Sequence, residues 1–369
     1  MRMDTADKRA TAALWSVRGV GPVTLAALRD KVPSLGDLLE RPIREWRDRF
    51  EWHGGAVAHL AALTTLAQRA DWLEAKCRAQ LVELVFPDHP AWPDKLNSIP
   101  DVPALLFCRG PGARAPRRRR LAIVGPRMPE LGLTSRAHDI AQEAARLLGI
   151  VSGAAEGIDT AAHQGAIKEG GETWAFMGSG LDQLDPTPRA TARFIVDHGG
   201  TVFSEFPPGF RPNTSSFQRR NRLISGVSDA VLVVRAAVGS GSLHTARFAK
   251  EQGRPVLVTP AEPWNQAAAG SNALLREAHV QPHLGVNDLI RACGLSDSIS
   301  SEKAPPFDAS GLEGPLREVF DLLGRGAANF EGLLSELAHL NSGQISAALT
   351  RLEVLGAVIH KGSRRYEKR

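Results

Sequence analysis

The residues of this chain best placed to do chemistry are arginines and glycines, and their grouping points to phosphate. Phe217-Gln218-Arg219-Arg220-Asn221-Arg222-Leu223-Ile224-Ser225-Gly226 sets three arginines beside an aromatic ring. A guanidinium grips phosphate oxygens through two parallel N–H bonds. Its plane, like a phenyl face, can also receive a stacked base. Four loops are rich in glycine: Val124-Gly125-Pro126-Arg127, Ser152-Gly153-Ala154-Ala155-Glu156-Gly157, Gly178-Ser179-Gly180-Leu181-Asp182 and Gly239-Ser240-Gly241-Ser242. Each follows an apolar run that reads as a strand, so N–H groups at the following helix starts would join Arg127, Ser240 and Ser242 in holding anions. Tight strand-to-helix turns explain some of the glycines without a ligand, but not the arginine or the two serines. The expected DNA- or phosphate-binding set is therefore Gly125, Arg127, Gly153, Gly157, Gly178, Gly180, Phe217, Arg219, Arg220, Asn221, Arg222, Ser240, Gly241 and Ser242. Whether Phe217 stacks on a base or is buried under its loop stays open.

Other chemistries find little support. No loop is a G-x-G-x-x-G opening a helix with an acidic residue ~20 positions on, and none is a Walker loop, which disfavours a dinucleotide redox enzyme or an ATPase. Asp159 and His163 have the spacing of a metal or acid–base pair, but also, and more commonly, that of a helix-capping aspartate with a buried, hydrogen-bonded histidine. Glu205 could act as a general base, yet no activated nucleophile stands near it in sequence. Cys77, Cys108 and Cys293 lie far apart without a CxxC pair, so neither a disulfide framework nor a zinc site is indicated. The expectation is a protein with no catalytic residue, no metal and no cofactor.

The elements that must position these residues follow from patterning. The 369 residues, 43% apolar and 23% charged, have the composition of an ordinary globular protein of two or three domains. No window offers the ~18 apolar residues of a membrane span, and the start lacks an apolar signal core, so a soluble, cytoplasmic protein without a membrane partner is expected. The formal charge of +5 is gathered in three groups: Arg114, Arg117 to Arg120 and Arg127; Arg211, Arg219, Arg220 and Arg222; and Lys361, Arg364, Arg365, Lys368 and Arg369. One such run is ordinarily a solvated face, but three favour a polyanion.

Residues 1–80 read as helical, with a helix-hairpin-helix turn at Val17-Arg18-Gly19-Val20-Gly21-Pro22, or a bare helical hairpin. Residues 81–294 read as the core. It begins with a Pro- and Trp-rich extended connector over 87–116, then alternates apolar runs (Leu121–Val124, Gly149–Val151, Thr173–Phe176, Thr201–Phe203, Ala230–Val234, Pro255–Thr259) with helical stretches (Thr134–Leu148, Thr160–Glu169, Ala190–His198, Leu243–Gln252). That alternation predicts an α/β fold, a mostly parallel, doubly wound sheet with helices on both faces. Residues 295–312 form a Ser/Pro-rich linker. In 313–369, three helices (Leu316–Leu323, Phe330–Leu337, Ser342–Leu355) and a hairpin turning at Gly362-Ser363 describe a winged helix, a module that binds DNA or docks proteins.

Together these motifs resemble the DNA-processing protein A family (DprA, also called Smf). The match runs through Val124-Gly125-x-Arg127, Val151-Ser152-Gly153-x-Ala155-x-Gly157-Ile158-Asp159-x-x-Ala162-His163-x-Gly165-Ala166 and Gly178-x-Gly180-Leu181-Asp182. It continues through Ser204-Glu205-Phe206-Pro207-Pro208-Gly209, Phe217 to Gly226, Ser228 to Val234, Ser240-Gly241-Ser242-Leu243-x-Thr245-Ala246 and Gly270-x-Asn272-x-Leu274, covering most of 121–285 in order. The resemblance implies a Rossmann-like core that binds single-stranded DNA without base specificity, forms a homodimer and loads the RecA recombinase in natural transformation, without catalytic turnover. Pro126 stands where the family usually has Ser or Thr, and Asp185-Pro186 and Arg189 replace the family's Tyr-Pro and a nearby Asn. Arg235 replaces an acidic residue and is expected to add to the positive rim. Two alternatives remain. One is a nucleotide-binding or nucleotide-hydrolysing enzyme of the lysine-decarboxylase-like Rossmann class, although its P-G-G-x-G-T-x-x-E glutamate is absent beyond Thr245. The other is a nucleotide-sensing adaptor.

Overall fold

Nine strands make one sheet, and the reason they do so is burial on both faces. In the computed structural model, which describes residues 3–42, 45, 65–112, 118–296, 309–324, 329–360 and 366–368, the central strands are mostly apolar runs, buried along nearly their whole length. They are β3 (Arg120–Val124), β4 (Gly149–Ser152), β5 (Thr173–Met177), β6 (Thr201–Ser204), β7 (Ala230–Val233) and β8 (Val256–Val258). Parallel strands covered on both sides carry such runs because neither face meets water. Three further strands complete the sheet: β1 (Glu83–Val85), β2 (Leu106–Arg109) and β9 (Val280–Pro282). The order is β1-β2-β6-β5-β4-β3-β7-β8-β9, antiparallel only at the β1–β2 and β2–β6 pairings. The segment read as a plain connector therefore contributes an antiparallel edge.

Side-chain alternation along β3 divides the core. Leu121 and Ile123 pack with α4 (Leu133–Ala145), α5 (Ile158–Lys168) and α10 (Val286–Ala292), while Ala122 and Val124 pack with α7 (Thr214–Val227) and α8 (Gly241–Glu251). The doubly wound arrangement expected from the sequence is present. Between these helices in the chain come α6 (Pro186–Asp197) and α9 (Ala269–Leu274).

The amino-terminal helices α1 (Thr5–Trp15), α2 (Pro22–Arg29) and α3 (Leu66–Ala79) share a core with β2, β5 and α6 through Leu14, Leu73, Phe107, Met177 and Ile195. The α1 end is pinned where the Trp15 indole N–H donates to the Glu205 carbonyl at 2.7 Å. The glycines of the Val17–Pro22 turn serve its geometry: Gly19 takes φ +87° and Gly21 caps α2 in extended conformation.

Contacts divide the chain into two units, Met1–Asp297 and Ser298–Arg369. The second contains α11 (Pro315–Leu323), α12 (Phe330–Glu336), α13 (Ser342–Val354) and the antiparallel pair β10 (Val358–His360) and β11 (Tyr366–Lys368) around Val319, Phe320, Leu333, Ile345 and Leu352. Arg114, Arg117, Lys361, Arg364, Arg365 and Arg369, with the Gly362-Ser363 turn, lie outside the described residues.

Candidate functional site

β3 and β7 are neighbours at the middle of the sheet, but the chain leaves β3 for α4 on one face and β7 for α8 on the other. Where adjacent connections part in this way, a crevice opens at the carboxyl ends of the strands. Here it is a cleft of about 660 Å³. The loop after β3 supplies Gly125, Pro126, Arg127 and Met128; the loop after β4 and the first turn of α5 supply Ala155 and Asp159; the loop after β7 and the start of α8 supply Gly239, Ser240, Gly241, Ser242, His244 and Thr245. The fourth wall is α7. A smaller recess of about 270 Å³ adjoins it, lined by Gly153, Gly178 and Asp185 and sharing Arg127, Phe217 and Arg220 with the first. Phe217 thus stands at the boundary, its ring centroid 5.3 Å from the Arg127 guanidinium carbon and 5.9 Å from that of Arg220.

The fate of the arginine motif depends on α7 being a helix. Asn213 caps it in a reciprocal box with Ser216, and the Ser216 hydroxyl also donates to the Gly178 carbonyl at 2.6 Å. Once helical, Thr214, Phe217, Gln218, Asn221 and Ile224 fall on one face and line the cleft. Arg219 and Arg222, three apart, face away from it, which corrects the expectation that all three arginines meet phosphate. Arg222 is buried, with Nη2 2.5 Å from Glu205 Oε1, Nε 3.0 Å from Asp101 Oδ2, and Nη1 donating to the Asp101 carbonyl. Glu205 is fully buried; burial raises its carboxyl above the usual range, against the pull of Arg222 and Arg219. Arg219 is half exposed, 3.6 Å from Glu205 Oε2 and over the Phe206 ring.

Arg220 does reach the cleft wall but as a strut. Its Nη1 donates to the carbonyls of Gly153 at 2.6 Å and Phe176 at 2.5 Å, tying the ends of β4 and β5 to α7. Only 5% of the residue is exposed, and burial lowers its guanidinium to about 10 despite the neighbouring Asp159. Asp159, buried and accepting from the Ala155 N–H at 3.3 Å, is raised by desolvation, with Arg220 opposing. His163 is buried against Thr173, Nδ1 to Oγ1 at 2.7 Å. Since that hydroxyl gives its proton to the Ile150 carbonyl at 3.0 Å, Nδ1 carries the donated hydrogen. Asp159 and His163 are thus the buried structural pair, not an open metal site; among the described residues no His, Cys, Asp and Glu group could hold a metal ion.

Most of the expected glycines serve the protein's own packing. A Cβ on Gly125 would meet Ile158 at 2.6 Å, on Gly178 the Phe217 ring at 2.7 Å, and on Gly153 the Arg220 guanidinium. Gly157 and Gly180 line neither cavity: Gly157 takes φ +80° against the Pro126 and Arg127 carbonyls, and the Gly180 N–H donates to Phe210 O at 2.9 Å. Gly241 differs, since a Cβ there would meet nothing within 4 Å. It opens α8, so its N–H has no partner within the helix. Ser240 caps that helix, while the Ser242 hydroxyl donates to Gly125 O at 2.9 Å and holds the β3 and β7 loops together. Arg127 is exposed and has no carboxylate partner among the described residues. Arg235 does not add to the rim, because it pairs with Glu130 at 2.5 Å. Arg189 is turned to the Leu184 carbonyl at 2.8 Å. Sequence reasoning missed Thr214, Gln218 and His244; the first two share the helical face of Phe217 and Asn221, a periodicity visible once α7 is assigned.

This fold and its switch-point cleft define an α/β protein of the Rossmann-like class. The chain belongs to the DNA recombination-mediator protein A family, whose model matches residues 83–294. It is 30% identical to Protein Smf of Synechocystis sp. over 96% of this chain and 97% of that one. It is 38% identical to Protein Smf of Escherichia coli over 53% of each. The crystal structure of DNA processing protein A from Streptococcus pneumoniae superposes with a TM-score of 0.54 at 28% identity, covering 73% of this chain and 96% of that one. No described helix is long and apolar enough to cross a membrane.

Proposed function

We propose that the cleft between β3 and β7 binds the backbone of single-stranded DNA without base specificity, and that the protein acts by holding and handing over that strand rather than by turnover. The observation that carries the reading is the convergence of an exposed, carboxylate-free Arg127 with the open α8 amino terminus at Gly241 in one switch-point cleft. Both features favour an anion, through charge and through backbone N–H groups at the positive end of a helix dipole. Phe217, half-buried between two guanidinium groups, offers an apolar edge for an unpaired base at the boundary of the two recesses. Family membership supports the reading. A strand held this way is shielded from nucleases and can be passed to the RecA recombinase by a homodimer, with the three helices and β-pair of the second unit acting as a winged helix for DNA or a protein partner.

The test is fluorescence-anisotropy binding of labelled single-stranded and duplex oligonucleotides across a salt series, comparing the wild type with Arg127→Ala. Loss of one phosphate contact lowers the slope of log K against log salt by about 0.7 for single strands. A reduced slope with an unchanged melting temperature supports the site. An unchanged slope overturns it.

A further inference from the structure

The arginine run that precedes β3 takes no part in the cleft. Arg118, Arg119 and Arg120 sit at the amino end of the strand, and β3 rises about 3.3 Å per residue, so some 13 Å of strand separates Arg120 from Val124 at the cleft. They line a separate cavity of about 780 Å³ together with Lys95. One buried carboxylate organises it. Asp229 Oδ1 accepts from Lys95 Nζ at 2.6 Å and from Arg119 Nη1 at 2.7 Å, while Oδ2 accepts the Arg120 N–H at 2.8 Å.

Two cations therefore share one oxygen, and, with Asp94 also lining the cavity, two carboxylates face the four cations Lys95, Arg118, Arg119 and Arg120. Arg120 is engaged elsewhere, stacked 3.6 Å over the Trp174 ring and 3.4 Å from Glu172. Arg119, with half its side chain exposed, and the exposed Arg118 face the cavity. Pro93, Leu147 and Leu295 give the remaining wall an apolar surface. Cations along one side and apolar area on the other suit a ligand that joins a phosphate to an apolar ring, in a space of ordinary ligand size.

We propose that this cavity is a second nucleotide-phosphate site, in which Arg118, Arg119 and Lys95 hold the phosphate and the apolar wall covers the sugar or base. The nucleotide has two possible sources: a unit of a long strand whose other part lies in the cleft, which rests on the function proposed above, or a free mononucleotide, which does not.

The experiment uses the full chain, as wild type, Arg118→Ala/Arg119→Ala and Arg127→Ala. Lys95 remains on Asp229 in the double variant, so the buried carboxylate keeps a cation, and a melting curve checks the fold. Each protein is titrated with a hexanucleotide, a several-fold longer single strand, and dAMP by calorimetry. For a strand source, the double variant binds the hexanucleotide as the wild type does but loses affinity for the longer strand. Its salt slope then falls by about 1.4, two cations at about 0.7 each. For a free source, wild-type dAMP binding disappears in the double variant and survives in Arg127→Ala. The proposal is overturned if the double variant matches the wild type with both the longer strand and dAMP, or if it weakens both strand lengths equally. Failure of the cleft reading looks different: Arg127→Ala leaves hexanucleotide binding untouched.

Discussion

The arginines of α7 and the arginine of the β3 loop are the same residue type placed in opposite physical settings. Arg220 and Arg222 are almost fully buried, and every donor that has a partner is turned to protein: carbonyls of Gly153, Phe176 and Asp101, the side-chain carbonyl of Asn221, and the carboxylates of Asp101 and Glu205. Arg127 is exposed on a short loop, with an aromatic ring beside it and no carboxylate among the described residues. A buried charge must be paired or it is prohibitively costly, so the first group builds the site. An exposed charge without a partner contributes little to the fold and is available to a ligand. The motif that most suggests phosphate is therefore largely scaffold, and within the cleft the arginine left without a protein carboxylate is Arg127, outside that motif.

The sharpest way to break this comparison is to remove one side of the buried pair. Arg222→Ala leaves buried Glu205 with only the half-exposed Arg219, 3.6 Å away, as a counter-charge and is expected to cost about 3 kcal/mol, read as a large drop in melting temperature. Replacing both partners with apolar residues, Arg222→Met with Glu205→Leu, should recover much of that loss, because what is costly is the orphaned charge. If Arg222→Ala melts like the wild type while weakening DNA binding, the division between scaffold and ligand arginines fails. Arg220→Ala comes next. It strips two buried carbonyls of their donor, at about 1–3 kcal/mol each, and leaves Asp159 without its cation. Any binding defect should accompany a stability defect. A variant lacking all three α7 arginines would consequently report on folding before it reported on DNA.

A smaller effect appears with pH. Burial, aided by the Arg220 cation, holds His163 at about 3 against its ordinary 6.5. Below 6.5 the unfolded chain takes up a proton that the folded chain refuses, so this contribution to stability is complete above 6.5 and drains away as pH falls toward 3. The slope is at most about 1.4 kcal/mol per pH unit. His163→Asn, which can still donate to Thr173, lacks this term. Urea denaturation at stepped pH should show the gap between wild type and variant narrowing on acidification; a constant gap would mean the histidine is protonated in the fold.

How much of this was legible depends on which physical signal each element carries. The six central strands are apolar because both faces are buried, and that signal survives in the sequence almost residue for residue. β1 and β2 lie in a Pro- and Trp-rich stretch where three- and four-residue strands leave no period to read. The helix α7 was the costly omission. Its polar, arginine-rich surface lacks a strong apolar stripe, although Asn213 and Ser216 spell its capping box. Without the helix, neighbours in sequence read as neighbours in space; with it, residues three apart share a face and adjacent ones do not. The glycines were found for a reason only partly correct. Burial of Gly153 under Arg220 and of Gly178 under Phe217 is a tertiary fact with no local signature.

Ser240 sits on the line between the two kinds of region, since its hydroxyl caps α8 and also lines the cleft. Its two roles can be separated because glycine tolerates the cap position far better than alanine does. Ser240→Ala should cost about 1 kcal/mol of stability, whereas Ser240→Gly should cost only a few tenths. If the hydroxyl only caps, DNA affinity follows stability, and the glycine variant binds nearly as the wild type does. If it also donates to phosphate, both variants lose the same several-fold affinity while their melting temperatures differ. Parallel melting and anisotropy measurements on the pair decide whether the cleft recruits side chains of the scaffold or draws only on backbone N–H groups and Arg127.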